Sequence, residues 1–188
     1  MPVKTVAKSK FKKGDLLYHP THGLCRLERI VNRKEGGKET QFYSLVPKIG
    51  TQMKVRFLID AEQVETSGFH SPISSAEANK ILDYLKASNV TASTSAEDQN
   101  KTFTSFAQSK EAWTFAKAVL FFSHDKSEVR EQRKRQMLDR AVKGLVGELS
   151  VVLDITAKEA VSKVRKSLER TLKINPSVLV VLGQAVED

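Results

Sequence analysis

The sequence predicts an α+β protein of two domains: a small N-terminal SH3- or Tudor-like β-barrel, followed by a compact all-α helical domain. Three observations carry this expectation. Glycines and short β-forming runs are concentrated in residues 11–70. Apolar residues at helical spacing, opened by Ser/Thr-x-x-Glu signatures, fill most of the remaining chain. Between these helical stretches, Ser88 to Ser105 is rich in Ser and Thr and poor in large apolar residues, the composition of a loop or linker. A length of 188 residues accommodates one domain or two small ones.

Leu16-Leu17-Tyr18 reads as a first strand behind Gly14-Asp15, and residues 20–23, PTHG, as a turn. Leu24 to Asn32 reads as a second strand. The Gly36-Gly37 pair marks a hairpin, and Thr40 to Val46 supplies its return strand. Met53, Val55 and Phe57 alternate with Lys54 and Arg56, the period of a half-buried strand. Ser74 and Glu77 form a capping box ahead of Ala78, Ile81, Leu82 and Leu85. Residues 110–123 carry Trp113, Phe115, Val119, Leu120 and Phe122 on more than one face, which places that helix centrally in its domain, with Trp113 in the core. Residues 128–153 form a long helix with Leu138, Val142, Leu145, Leu149 and Val152 on one stripe. Thr156 and Glu159 cap the next helix, with Val161, Val164, Leu168 and Leu172, and Asn175-Pro176 ends it. The apolar run from Val178 to Leu182 either packs back on the bundle or serves an interface. The expected layout is a basic extension over 1–10, a β domain over 11–72, a helical domain over 73–175 with its loop at about 88–105, and a C-terminal tail over 176–188.

Composition narrows the function. Lys and Arg total 31 against 22 Asp and Glu, a formal charge of +9. Such a surplus favours a polyanionic partner, most simply nucleic acid. The longest apolar stretch, Ala116 to Phe122, falls far short of the ~20 residues of a membrane helix, and no hydrophobic core stands behind the N-terminal lysines as in a secretory signal. The single cysteine, Cys25, excludes an internal disulfide and an all-Cys zinc site, so a reducing cytoplasm is expected. His19 and His22 have the spacing of a metal pair, but His70 and His124 lie far off and no Cys/His/Asp cluster supports them; the expected reading is a turn with two imidazoles and no metal. Cys25 reads as a core thiol. No phosphate-cradling glycine loop or nucleophile elbow is present, so no enzyme activity and no cofactor are expected. The basic run is more informative. From Lys126 to Lys143 there are seven Lys/Arg and three Asp/Glu, with Arg133, Lys134, Arg135 and Arg140 on the opening turns of the long helix. Cations there oppose the helix macrodipole, so they are not placed for helix stability. A solvated face and a phosphate-binding face both fit this composition.

Residues 11–23, FKKGDLLYHPTHG, the Gly36-Gly37 hairpin, Phe42-Tyr43 and Val55-Arg56, together with Met137–Ala141 and Leu145–Leu149, resemble the CarD-like (CdnL) family of bacterial RNA polymerase-binding transcription regulators. The first part also resembles the polymerase-interaction module of transcription-repair coupling factors. The resemblance spans about residues 11–172. It implies a β domain that docks on the polymerase β subunit, a helical domain that meets promoter double-stranded DNA at the upstream edge of the bubble, stabilisation of the open complex in transcription initiation, and no catalysis. Carried over by position, Arg33 and Arg56 match basic residues at the polymerase contact, and the neighbouring Lys34 and Lys54 are expected to join them. Lys101, Phe103, Arg133, Lys134, Arg135 and Arg140 fall near the DNA-facing positions. Some family members place a tryptophan wedge before a basic pair. In this chain residues 97–103 read EDQNKTF, with Phe103 as the aromatic, and Trp113 lies inside the next helix. A monomer is the expected state. The competing readings are a basic architectural DNA-binding protein without a polymerase partner, and a Tudor-type peptide binder with a helical oligomerisation domain.

Overall fold

In the computed structural model, which describes residues 10–35, 38–48, 55–86, 111–124, 131–169 and 174–185, the β-rich half is an antiparallel meander. Its strands are β1 (Leu16–His19), β2 (Gly23–Glu35), β3 (Lys38–Pro47) and β4 (Phe57–Asp60), in the order β1-β2-β3-β4. Gly23 opens β2 with φ +67°, a left-handed backbone that glycine adopts without steric cost, and this lets the chain reverse within the His19–Gly23 pair. The inward residues Leu17, Cys25, Leu27, Tyr43 and Leu45 form the core with Phe11, Val64 and Phe69. The Tyr43 hydroxyl accepts the backbone N–H groups of Lys10 and Phe11 at 3.1 and 3.4 Å, which pins the incoming chain. A one-turn helix, α1 (Val64–Ser67), comes after β4, and Tyr18 bridges to His70.

One irregularity controls which side chains face out. Leu27 pairs with Leu45 but Arg29 pairs with Ser44, so Glu28 is an extra residue in β2, a β-bulge. Before the bulge the odd residues Cys25 and Leu27 point inward; after it Ile30 packs on the core and Arg29 is exposed. Strict alternation would have buried Arg29.

Two expectations for this half are corrected. Among the described residues the sheet is open: β1 and β4 are its edges and it does not close into the expected barrel. The fourth strand begins at Phe57, because Val55 and Arg56 lie outside the ladder, whose first pair on that strand is Leu45–Phe57. Met53 and Lys54 are outside the described residues, as are Gly36 and Gly37, although the β2–β3 ladder continues to the Glu35–Lys38 pair.

The second half is helical: α2 (Ser75–Lys86), α3 (Ala112–His124), α4 (Gln132–Leu153), α5 (Ala157–Glu169) and α6 (Pro176–Gln184). Contacts divide the chain into two compact units, Met1–Pro72 and Ile73–Asp188. The helical core is built from Ile81 and Leu85 of α2, Phe115, Val119 and Phe122 of α3, and Leu138, Val142, Leu145 and Leu149 of α4. The predicted capping boxes are formed: the Glu77 carboxylate accepts from the backbone N–H and hydroxyl of Ser74, and Glu159 does the same for Thr156. Glu148 is fully buried on α4 and accepts the backbone N–H of Ile73 at 3.1 Å, so the carboxylate ties the start of this unit to its longest helix.

Of the two alternatives for the apolar run Val178–Leu182, the structure shows packing on the bundle. Residues 176–184 are helix α6, with Val178, Val181 and Leu182 buried in the bundle core. Asn175 ends the preceding segment and caps the new helix, its side-chain oxygen accepting from the Ser177 N–H at 2.8 Å, with Pro176 in the first turn where a missing N–H is harmless. Trp113 is half-buried rather than enclosed: it packs against the core edge-on to Tyr84, with ring centroids 5.8 Å apart.

Candidate functional site

The bulge gives the sheet an outer face of definite composition. Arg26, Arg29 and Arg33 of β2 are exposed, Phe42 of β3 is half-buried, and Leu58 and Asp60 of β4 alternate with the inward Phe57 and Ile59. The Arg33 guanidinium lies 5.7 Å from the centre of the Phe42 ring, a cation–π contact that stiffens a long side chain on the open sheet. Arg56 Nη2 sits 2.7 Å from Glu28 Oε2, with both side chains a little under half exposed. The structure thus brings Arg33 and Arg56 to the same small β unit, each with a partner that restrains it. Lys34 is exposed next to Arg33 on β2. Lys54 is outside the described residues.

Leu58 is the residue that sequence reasoning misses. It is 40% exposed, one of few large apolar side chains so exposed among the described residues, and it lies on the strand that Arg56 leads into. The signal is present: extending the alternation that turns Arg56 outward by two residues reaches Leu58. An apolar side chain among arginines, with aromatic support from Phe42, has the mixed character of a protein-binding surface.

The second candidate face lies on α4. Arg133, Arg135 and Arg140 are exposed. At 3.6 residues per turn, Arg133 and Arg140 fall on one face, away from Leu138 and Val142. Arg135 is turned to about the other side of the helix, so the structure does not place all three together. Lys134 is half-buried and ion-paired with Glu131 at 3.4 Å. Glu131 is the N-cap residue and makes no capping hydrogen bond, and the first turn of α4 holds no acidic side chain. Lys134 and Glu131 offset each other, while the exposed Arg133 and Arg135 add to the positive end of the helix dipole, where α2 and α5 carry capping glutamates. This combination attracts anions. Lys101 and Phe103 are outside the described residues.

The remaining sequence candidates have structural roles. His19 Nδ1 accepts backbone N–H groups from Thr21 and His22, at 3.0 and 3.3 Å, and its ring stacks on His22 at 4.4 Å. That is a turn-stabilising imidazole; among the described residues no group of three His, Cys, Asp or Glu is arranged to hold a metal. Cys25 is buried in the sheet core, and burial pushes its thiol up to about 11, away from the thiolate a nucleophile needs. Among the described residues no helix is long and apolar enough to cross a membrane.

No curated protein matches the chain. Residues 11–63, which carry all four strands, the bulge and the arginine-bearing outer face, match the model of the CarD-like/TRCF RID domain. The N-terminal unit of the chain therefore carries, over residues 11–63, a segment similar to the CarD-like/TRCF RID domain.

Proposed function

We propose that the protein is a transcription regulator that binds the β subunit of RNA polymerase through the outer face of its RID domain and contacts promoter DNA through its helical unit, stabilising the open complex. The observation that carries this reading is the restrained arginine face, with Arg33 over Phe42 and Arg56 on Glu28, within the segment that matches a family of polymerase-binding domains. Arg33, Lys34, Lys54 and Arg56 are the proposed polymerase contacts, with Leu58 as their apolar neighbour. Arg133, Lys134, Arg135 and Arg140, with Lys101 and Phe103, are the proposed DNA contacts. The protein works without catalysis, in the cytoplasm of a bacterial cell.

The mechanism is a difference of affinities. A factor anchored on polymerase that holds open-complex DNA better than closed-complex DNA shifts the equilibrium by that difference. A coupling of about 1–3 kcal/mol changes occupancy roughly 5–150-fold. Arginine contacts to phosphate orient the duplex without reading sequence, so the effect extends over many promoters.

The test is open-complex lifetime on two unrelated promoters, with wild type and an Arg133→Ala/Arg135→Ala variant. The expected result is a shortened lifetime for the variant at both promoters, with polymerase binding retained. Equal lifetimes for the two proteins would mean that the basic start of α4 is only a solvated face.

A further inference from the structure

We propose that Glu28, the bulge residue of β2, is a positioning residue that holds Arg56 in its polymerase-binding orientation; this rests on the reading of Arg56 as a polymerase contact. Arg56 precedes β4 and is outside the ladder, so no strand pairing fixes its side chain. Its restraint is the 2.7 Å pair with Glu28 Oε2. That oxygen is shielded from water and has no hydrogen-bond partner in regular geometry among the described residues, so Arg56 supplies its countercharge.

The bulge explains how the carboxylate comes to be there. Leu27 pairs with Leu45 and Arg29 with Ser44, which leaves Glu28 without a cross-strand partner of its own. A bulged residue is free to re-aim its side chain, and bulges recur beside functional sites for that reason. In β2 the side chain is aimed across the sheet surface at a residue on the far side of β3.

The pair leaves the arginine usable. The contact engages Nη2, and a guanidinium carries five N–H donors in a rigid fork, so Nε and Nη1 remain to meet an acidic surface. Drawing Arg56 fully away would break the charge-assisted contact to the one shielded oxygen of Glu28, so the favoured encounter keeps Glu28 in place behind the arginine. A side chain held before contact loses less freedom on binding, which is how a neighbouring acid strengthens binding to an acidic partner.

The test is a double-mutant cycle with the full chain titrated onto core RNA polymerase: wild type, Glu28→Gln, Arg56→Gln and the double variant, with Glu28→Asp as a fifth protein. Circular dichroism confirms the fold of each. Glu28→Gln is expected to weaken binding roughly two- to fivefold in the wild-type background and to change nothing further in the Arg56→Gln background. Glu28→Asp keeps the charge but moves it back by one methylene; it is expected to weaken binding as well, and it carries the test if Glu28→Gln does not fold. Unchanged or tighter binding by Glu28→Gln overturns the proposal, as does an equal loss in both backgrounds. Loss from Arg56→Gln without loss from Glu28→Gln removes the role of Glu28 and leaves Arg56 as a contact. Full binding by Arg56→Gln overturns both.

Discussion

Gly144 of α4 packs against the Phe115 ring of α3. A methyl group built there would come within 2.4 Å of the buried Phe115 ring, so an alanine forces the ring or the helix to move. Overpacking of this kind costs about 1–3 kcal/mol, more than the ~1 kcal/mol that alanine returns in helix propensity. Gly144→Ala should therefore lower the unfolding midpoint of the helical unit in urea, and a raised midpoint would show that the ring yields freely. Cys25 makes a second expectation at this scale. Its thiol is enclosed in the sheet core and pushed up to about 11, so it should react very slowly with a disulfide reagent at neutral pH and quickly once the chain is unfolded in guanidinium. Fast reaction of the native protein would reveal frequent opening of the sheet. The sequence identifies this residue correctly as a core thiol, because no Cys-His spacing signature accompanies it and alternation sets it on the same strand face as Leu27.

Helix beginnings differ in the charge they carry. The carboxyls of Glu77 and Glu159 are held below the usual carboxylate range, chiefly by the backbone N–H groups of Ser74 and Thr156 and then by their hydroxyls. A carboxyl whose folded pKa is depressed stabilises the fold fully above its unfolded value, and that stability is lost as pH falls through the folded value. A Glu77→Ala/Glu159→Ala variant should melt below wild type at pH 7, and the gap should narrow below about pH 4. A gap that stays constant with pH would mean that the caps act only through packing. The start of α4 behaves differently, with cations where the dipole is already positive. If it meets duplex phosphates, each lost contact should flatten the slope of log affinity against log salt by about 0.9, and Arg133→Ala/Arg140→Ala should show that change alike on unrelated sequences. An unchanged slope would assign the charge to solvation. The capping boxes are legible in the sequence because four residues carry their whole signal. The bulge at Glu28 is legible only as a break in alternation between Leu27 and Ile30, and the fourth strand reads as starting early because alternation cannot say where a ladder begins. Helix α6 reads as a tail: its short apolar run is hydrophobic on every side, so it shows no amphipathic period until the bundle provides a surface on which it can pack.

At the scale of the whole molecule, the chain folds as two units, one with a sheet that has an arginine-bearing face and the other a bundle with a cationic helix start. The α+β class is legible because periodicity switches once, between Phe57 and Ala78, from two to 3.6. Closure of the sheet is not, since it depends on whether its two edge strands meet, and nothing within either strand reports that. Of the proposed polymerase contacts, Arg33 and Arg56 are placed by resemblance, but their restraining partners Phe42 and Glu28 come from elsewhere in the sheet and have no sequence spacing to announce them. The central claim is that this face binds RNA polymerase. The most direct measurement is the affinity of the full chain for core polymerase, by fluorescence anisotropy of labelled protein, for wild type and Arg56→Glu. Saturable binding by wild type, abolished in the variant while its circular dichroism shows the fold retained, is the predicted result, with Arg56→Gln as the control that sets no like charge beside Glu28. Equal binding by the two proteins would contradict it.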